Sequence, residues 1–238
     1  MGKQKGLYLQ GKTDNILYYK NRDIPCERMI PADVYQSPAV VAHKNANSLA
    51  TTMGGAFRRS LANVIPYPQS MQMQTAVRHA LLKWLKEGPV PSVPPQNIPF
   101  ITKLSFNEEA ILKNCMRVPL TLTATPTSVT LQLPQMIPLT DFTAPAETEY
   151  IGLKIAAASG DIKTGVALDN YSHRLSIPYD AVNIPAQSIS LPLQMPADSL
   201  TMVTLALSYY TIISGRASLI MNEHYRPSEV IGGVVKVG

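Results

Sequence analysis

The chain has few charged residues and few cysteines, and both shortages narrow the class of protein. Only 16% of its 238 residues are Asp, Glu, Lys or Arg, against about 25% in ordinary soluble domains. Its two cysteines, Cys26 and Cys115, are too few for a disulfide framework and lack metal-ligand spacing. Low charge combined with 20 prolines favours β-sandwiches and assembly surfaces over α/β enzymes.

Motifs for catalysis are also missing. The sequence contains neither GxxxxGK[ST] nor GxGxxG, the two common phosphate-binding loops. None of the four histidines has a second His or Cys three or four residues away, so no local zinc ligand pair exists. Adjacent acids such as Glu108 and Glu109 are typical of solvated turns, whereas a glycosidase needs two carboxylates across a cleft. We therefore expect no enzymatic activity, no metal and no cofactor.

Long apolar runs are absent as well. The opening sequence, MGKQKGLYLQ, lacks the apolar core of a secretory signal, and no segment approaches the length of a membrane span. We expect synthesis in the cytoplasm without a signal peptide, and no membrane-spanning segment. The final site is then an assembled particle or filament, or otherwise the cytoplasm.

The stretch 37–88 predicts two amphipathic helices joined by a proline-marked bend. Ser37 can cap the first helix, and apolar side chains recur on one face at four-residue or eight-residue spacing. Gly54 and Gly55 lie inside this helix, which predicts a kink or a close helix crossing. Helices of this length are marginal alone. Their apolar stripes are therefore buried against their own domain or, alternatively, against a neighbouring subunit.

The flanking segments have the patterns of β-strands and of a spacer. Residues 1–36 predict short strands separated by turns, in a sheet too small to be stable alone. Residues 89–99 contain five prolines, which is typical of a stiff, extended connection. From residue 100 onward, short runs alternate apolar and polar residues. We expect an α+β fold with short N-terminal strands and a helical hairpin (1–88), a spacer (89–99) and an antiparallel immunoglobulin-like β-sandwich (100–238).

Two features of the β-rich region are unusual. The apolar run 200–213 is long for one strand, which predicts a bend or a crossing from one sheet to the other. Gly232 and Gly233 lie between apolar residues, which predicts a turn, a bulge or a close backbone contact.

Charge is distributed unevenly along the chain. Residues 1–95 carry 12 Lys and Arg and 5 Asp and Glu, a net of +7, while residues 96–238 carry 9 and 11, a net of −2. The basic part could bind nucleic acid. The two parts could equally stack head to tail between copies, or the positive charges could form an ordinary solvated surface.

The first third of the sequence combines a glycine-lysine turn, a hydrophobic-aromatic strand, an Arg before a proline and a helix start of the Asn/Gln-Ser/Thr-Pro kind. The residues that carry these features are Gly11, Lys12, Asn15, Tyr18, Tyr19, Lys20, Arg28, Pro31, Gln36, Ser37 and Pro38. With them the sequence resembles a family of uncharacterised proteins from Bacteroidetes and their phages. The resemblance implies helices followed by β-sandwich-like domains, and it implies no activity and no functional residues.

Our leading functional hypothesis is a non-enzymatic structural subunit that self-assembles into a virion-like phage particle or a filament. Its N-terminal arm would add strands to an exposed sheet edge of another copy. Its partners would be copies of itself and other particle subunits. The predicted subunit-interface residues are Leu7, Leu9, Ile16, Tyr18, Ile24, Met53, Phe57 and Trp84.

Two alternative functions are left open. One is a nucleic-acid-associated protein that uses the basic N-terminal module, because aromatics interleaved with cations can stack on bases and neutralise phosphates. The predicted nucleic-acid residues are Tyr19, Lys20, Arg22, Arg28, Arg58 and Arg59. The other is a carbohydrate-binding or protein-binding sandwich, which needs exposed aromatics such as Tyr171, Tyr179 or Tyr225 on one face.

Overall fold

A computed structural model describes most of the chain, which forms two compact units. The described residues are 3–5, 8–13, 16–21, 24–29, 37–65, 71–88 and 92–238. The units are Met1–His43 and Lys44–Gly238. The division between the units therefore falls near residue 43, whereas the sequence predicted a boundary at 89–99.

The first unit contains an antiparallel sheet with the strand order β1-β2-β3-β4. Its strands are β1 (Lys3–Lys5), β2 (Tyr8–Thr13), β3 (Ile16–Asn21) and β4 (Ile24–Met29). The prediction of short strands is confirmed. Pro25 lies in β4, at the edge of this order, where a missing backbone N–H breaks no ladder hydrogen bond.

The two predicted helices are present as α1 (Pro38–Ser60) and α2 (Met71–Glu87). The hydroxyl of Ser37 accepts a hydrogen bond from the Val40 amide at 3.4 Å, as expected of a capping residue. The helix α1 continues through Gly54, where an added Cβ would lie 3.6 Å from side-chain atoms of both Val77 and Leu81. Gly54 therefore marks a close helix crossing.

The second unit adds two antiparallel sheets to the helices, so the fold is α+β. The large sheet has the order β5-β13-β11-β8-β9, with β12 also paired to β11, and the small sheet has the order β10-β7-β6. The strands are β5 (Ser92–Gln96), β6 (Thr121–Ala124), β7 (Ser128–Leu133), β8 (Tyr150–Asp161), β9 (Ala167–Pro178), β10 (Gln187–Pro192), β11 (Ser199–Ile213), β12 (Arg216–Leu219) and β13 (Ser228–Lys236). Two short helices, α3 (Leu112–Cys115) and α4 (Pro138–Asp141), lie between them. The immunoglobulin-like arrangement remains a prediction.

The strand β11 is covered on both faces, which explains its long apolar run. Leu200 and Met202 belong to the core formed with α1 and α2. Val203 and Leu205 belong to the core formed with the small sheet. A strand buried on both faces does not alternate apolar and polar residues. Residues 200–213 are thus one strand, and the predicted crossing between sheets is not seen.

Small residues on the large sheet allow the helices to approach it closely. Ala156 and Ala158 in β8 face the helices, and a Cβ added at Gly160 would lie 3.2 Å from the Phe57 ring. The side chains of Met53, Phe57 and Trp84 are 0%, 2% and 3% exposed in this layer. The helical pair therefore packs on its own domain, and these three side chains are not exposed for the predicted contact with a neighbouring subunit.

The opposite core, between the two sheets, contains a buried tyrosine. The Tyr209 hydroxyl donates a hydrogen bond to the Thr143 carbonyl at 2.9 Å, and its ring meets Tyr225 edge-on, with centroids 6.3 Å apart. Burial raises the pKa of Tyr209 and also that of the nearby Cys115 thiol. Both groups are therefore neutral at physiological pH, as an apolar core requires.

Gly233 lies where two backbone segments meet, so the predicted close contact is confirmed. A Cβ added there would overlap the Thr201 carbonyl oxygen and lie 2.8 Å from Ile98 Cδ1. We expect Gly233→Ala to lower the free energy of unfolding by about 1–3 kcal/mol, because a close-packed core resists added volume. Urea unfolding monitored by circular dichroism measures the change.

Gly55→Ala is the matched control for this substitution. A Cβ at Gly55 would meet only the end of the Arg59 side chain, at 3.5 Å. We expect Gly55→Ala to raise stability by about 0.5–1 kcal/mol, since alanine is the better residue in a helix interior. Equal effects of the two substitutions would contradict the assigned close contact.

Candidate functional site

The pairing register of β3 and β4 defines two faces of the N-terminal sheet. Tyr18 lies opposite Glu27, and Ile16 lies opposite Met29. Successive residues of a strand point to opposite faces, so these four residues share one face, which we call the Tyr18 face. Ile24 belongs to the opposite face, and the predicted interface residues are therefore divided between the two.

The described side chains of β3 and β4 have no core of their own. Ile16 and Tyr18 are half-buried, while Ile24 and Met29 are 65% and 78% exposed. The described members of the two hydrophobic cores begin at Ala50. Leu7 lies outside the described residues. Leu9 pairs with Gln4 across β1 and β2.

Only part of the predicted nucleic-acid site is brought together. Lys12 lies opposite Leu17, and Leu17 lies opposite Arg28, so the two cations share a cross-strand row. The Arg28 guanidinium lies 5.9 Å from the centroid of the Tyr19 ring, in cation–π geometry. We call Lys12, Leu17, Tyr19 and Arg28 the Arg28 face.

The other predicted nucleic-acid residues are placed elsewhere. Lys20 alternates with Tyr19 and belongs to the opposite, Tyr18 face. Arg58 and Arg59 lie in the last turn of α1, in the second unit. Arg22 lies outside the described residues. The site is therefore reduced to the Arg28 face.

The strand β9 forms a long free edge of the large sheet. It has 12 residues, and among the described strands it pairs only with β8. Leu168 and Tyr171, both in β9, are 42% and 39% exposed. Exposed sheet edges with apolar side chains are sites of strand addition. Of the other aromatics proposed for ligand binding, Tyr179 and Tyr225 pack partly buried against the core.

A cleft of about 410 Å³ lies between α3, β13 and the segment that precedes β6. The lining of the cleft combines apolar side chains with charged groups that are mostly cations. Its apolar members include Leu112, Met116, Val118 and Val230, and its charged members are Lys103, Lys113, Arg117 and Glu229. One carboxylate lines this cleft, and no histidine does. The cleft therefore combines an apolar lining with a net positive charge, which suits an anion with an apolar body.

Glu229 is the unusual group of this cleft. Burial raises its pKa, while the Leu112 amide and the Lys103 ammonium act in the opposite direction. The Leu112 amide begins the short helix α3, so Glu229 supplies that helix with a hydrogen-bond acceptor. The sequence pattern gave no sign of this pairing, because residues 112 and 229 are distant in the chain.

Within the described ranges, no group of three His, Cys, Asp or Glu residues has a geometry that could hold a metal ion. In the same ranges, no helix combines the length and the apolar character that a membrane crossing demands.

Comparisons with known proteins leave the chain without an identified relative. No family model, no curated protein and no solved structure matches it.

Glu229 predicts a specific pH dependence of stability. The pKa of the Glu229 carboxyl is raised in the folded state, so the unfolded chain loses the carboxyl proton at a lower pH than the folded protein does. The stabilisation that this proton provides is complete below the ordinary pKa of 4.5 and is lost as the pH rises through the folded-state pKa. We expect the wild type to lose stability relative to Glu229→Gln as the pH rises from about 4 to 7. Thermal unfolding of both proteins across this range measures the difference.

Glu108→Gln provides the control, because it removes the same charge from an exposed position. If the difference between the wild type and Glu229→Gln did not change with pH, the assigned burial of the Glu229 carboxylate would be wrong.

Proposed function

We propose that the protein is a non-enzymatic structural subunit that assembles with copies of itself through its N-terminal sheet. The observation that supports this proposal is that the described side chains of the N-terminal sheet form no hydrophobic core of their own. No described side chain of β3 or β4 is buried, and a sheet of this size needs a hydrophobic cover. We propose a second copy of the chain as this cover.

The proposed contact joins two sheet edges. In one copy the edge is β4, where Ile24 and Met29 are exposed, and in the next it is β9, where Leu168 and Tyr171 are exposed. Backbone hydrogen bonds across such a junction give strength, and the alternating side chains give register. The net charges of +7 for residues 1–95 and −2 for residues 96–238 favour this head-to-tail order over a head-to-head one.

A head-to-tail contact generates rings or open chains rather than closed pairs. This geometry suits a particle or a filament, and the resemblance to proteins of Bacteroidetes and their phages favours a phage-type particle. An immunoglobulin-like arrangement of the two sheets belongs to the same proposal, as do other particle subunits as partners and synthesis in the cytoplasm before assembly.

Met29→Glu tests the proposal, because it places a charge at the apolar junction. We expect it to reduce the assembled fraction at least tenfold, since a buried unpaired carboxylate destabilises an interface by more than about 1.4 kcal/mol. Sedimentation velocity of the full-length proteins measures the size distribution, and electron microscopy of the wild type shows its form.

Met71→Glu is the matched control, since Met71 is also 78% exposed but lies at the start of α2. Tyr171→Lys, on the accepting edge, should act like Met29→Glu. A wild type that sediments as a monomer at every concentration, or large assemblies that persist after deletion of residues 1–30, would refute the proposal.

A second candidate function rests on the Arg28 face. Its two cations and the tyrosine stacked under Arg28 form a small surface of the kind that binds single-stranded nucleic acid. We expect binding of a single-stranded oligonucleotide to weaken steeply with salt, and Arg28→Gln to reduce the salt slope by about one unit. Fluorescence anisotropy measures it, with Arg216→Gln as control. The absence of binding at low salt would remove this candidate.

A further inference from the structure

Three cations of the second unit lie together on the large sheet, beside the start of β13. Lys154 in β8 lies on the same face of the sheet as Ala156 and Ala158, because it precedes them at two-residue spacing. The helices α1 and α2 cover that face at the two alanines. Arg174 in β9 lies directly opposite Lys154. Arg226 is the third member, since its charge acts on Lys154. We call these three residues the Lys154 cluster.

The Lys154 cluster has no carboxylate partner among the described residues. Like charges directly opposite on paired strands are destabilising, and such a pair is normally avoided or neutralised. The ion pairs recorded in the described part of the chain, Lys163–Asp198 and His224–Glu109, lie elsewhere. The Glu149 carboxylate is also engaged elsewhere, because its Oε1 accepts a hydrogen bond from the Ile212 amide at 2.9 Å. The cluster is therefore an uncompensated positive site.

A cavity of about 260 Å³ adjoins the cluster and is lined by Asn63, Val64, Lys154, Ser172, His173 and Arg174. A smaller cavity of about 30 Å³ shares Asn63, Val64 and Lys154 with it and reaches Ser208 and Arg226. Ligand pockets for drug-sized molecules span about 300–1,000 Å³. The larger cavity is thus suited to a smaller ligand, with amide and hydroxyl groups available beside the cations.

Two details indicate that this site is built to receive an anion. The Nε of Arg226 is buried, and no described group accepts its hydrogen bond. The Arg174 guanidinium lies 5.0 Å from the centroid of the Tyr210 ring, which holds it in place. Gly152 makes this stacking possible, because a Cβ there would lie 2.8 Å from the Tyr210 ring.

The electrostatics of Lys154 agree with this geometry. Burial lowers its pKa, and the charges of Arg174 and Arg226 lower it further. A bound anion would offset the repulsion that both arginines exert on the ammonium group. The sequence offered one signal for this site, a lone lysine within the apolar run of β8.

We propose that the Lys154 cluster binds the phosphate group of a small molecule, either free phosphate or a phosphate monoester. Guanidinium groups match phosphate oxygens in bidentate geometry. A monoester carries a charge of about −1.5 to −2 at pH 7, which suits three cations better than a single carboxylate does. Arg174 lies in β9, which is also the accepting edge of the proposed assembly, but the observations behind this inference do not depend on the proposed function.

Isothermal titration of the full-length protein with inorganic phosphate, and separately with glycerol phosphate, tests the proposal. We expect saturable binding to the wild type at constant ionic strength. Lys154→Met and Arg174→Gln should each weaken it about tenfold to a hundredfold, because a hydrogen bond to a charged group is lost. Tighter binding of glycerol phosphate indicates a monoester, and equal binding indicates free phosphate. Lys86→Gln, an exposed cation in α2, should bind like the wild type.

Thermal unfolding provides a second measurement, which is informative even for a variant that does not bind phosphate. In chloride, Lys154→Met should melt at or above the wild-type temperature, because like-charge repulsion is relieved. In phosphate of the same ionic strength, the wild type should gain stability and Lys154→Met should not. Absence of phosphate binding to the wild type, or equal stabilisation of Lys154→Met and Lys86→Gln, would overturn the proposal.

Discussion

The second unit depends on the burial of β8 and β11 from both sides. The helices cover one face of these strands with Leu200 and Met202 beneath them, and the small sheet covers the other, above Val203 and Leu205. The two cores share the same backbone ladder between β8 and β11. Side chains on one face of β11 therefore constrain the position of those on the other, so that the three layers form one cooperative structure.

Much of this fold could be predicted from the sequence, because the apolar periods of α1, α2 and most strands are strong. The first half of β9 has a weaker pattern, since an edge strand faces solvent and residues 169–173 are largely polar. The boundary at 89–99 was predicted from its prolines. In the structure, residues 92–96 instead form the edge strand β5, a position where prolines leave no ladder hydrogen bond unsatisfied.

The candidate sites were less predictable, because they combine residues that are distant in sequence. The stacking of Arg28 on Tyr19 joins neighbouring strands, so a local sequence pattern could indicate it. The Lys154 cluster joins β8, β9 and the segment before β13, and only the topology brings these together. Lys154 is a half-buried cation within the otherwise apolar strand β8, and such departures from the local rules of folding are expected where a protein binds something.

The chain contains one tryptophan, and its position gives the two cores different spectroscopic signals. Trp84 is 3% exposed within the helix layer, whereas Tyr209 and Tyr225 lie in the other core. Indole emission consequently reports on the attachment of the helices to the sheet. Within the near-ultraviolet tyrosine signal, the contributions of Tyr209 and Tyr225 report on the joining of the two sheets. A molecule that loosens one layer before the other would reveal this as two unfolding curves that fail to superimpose.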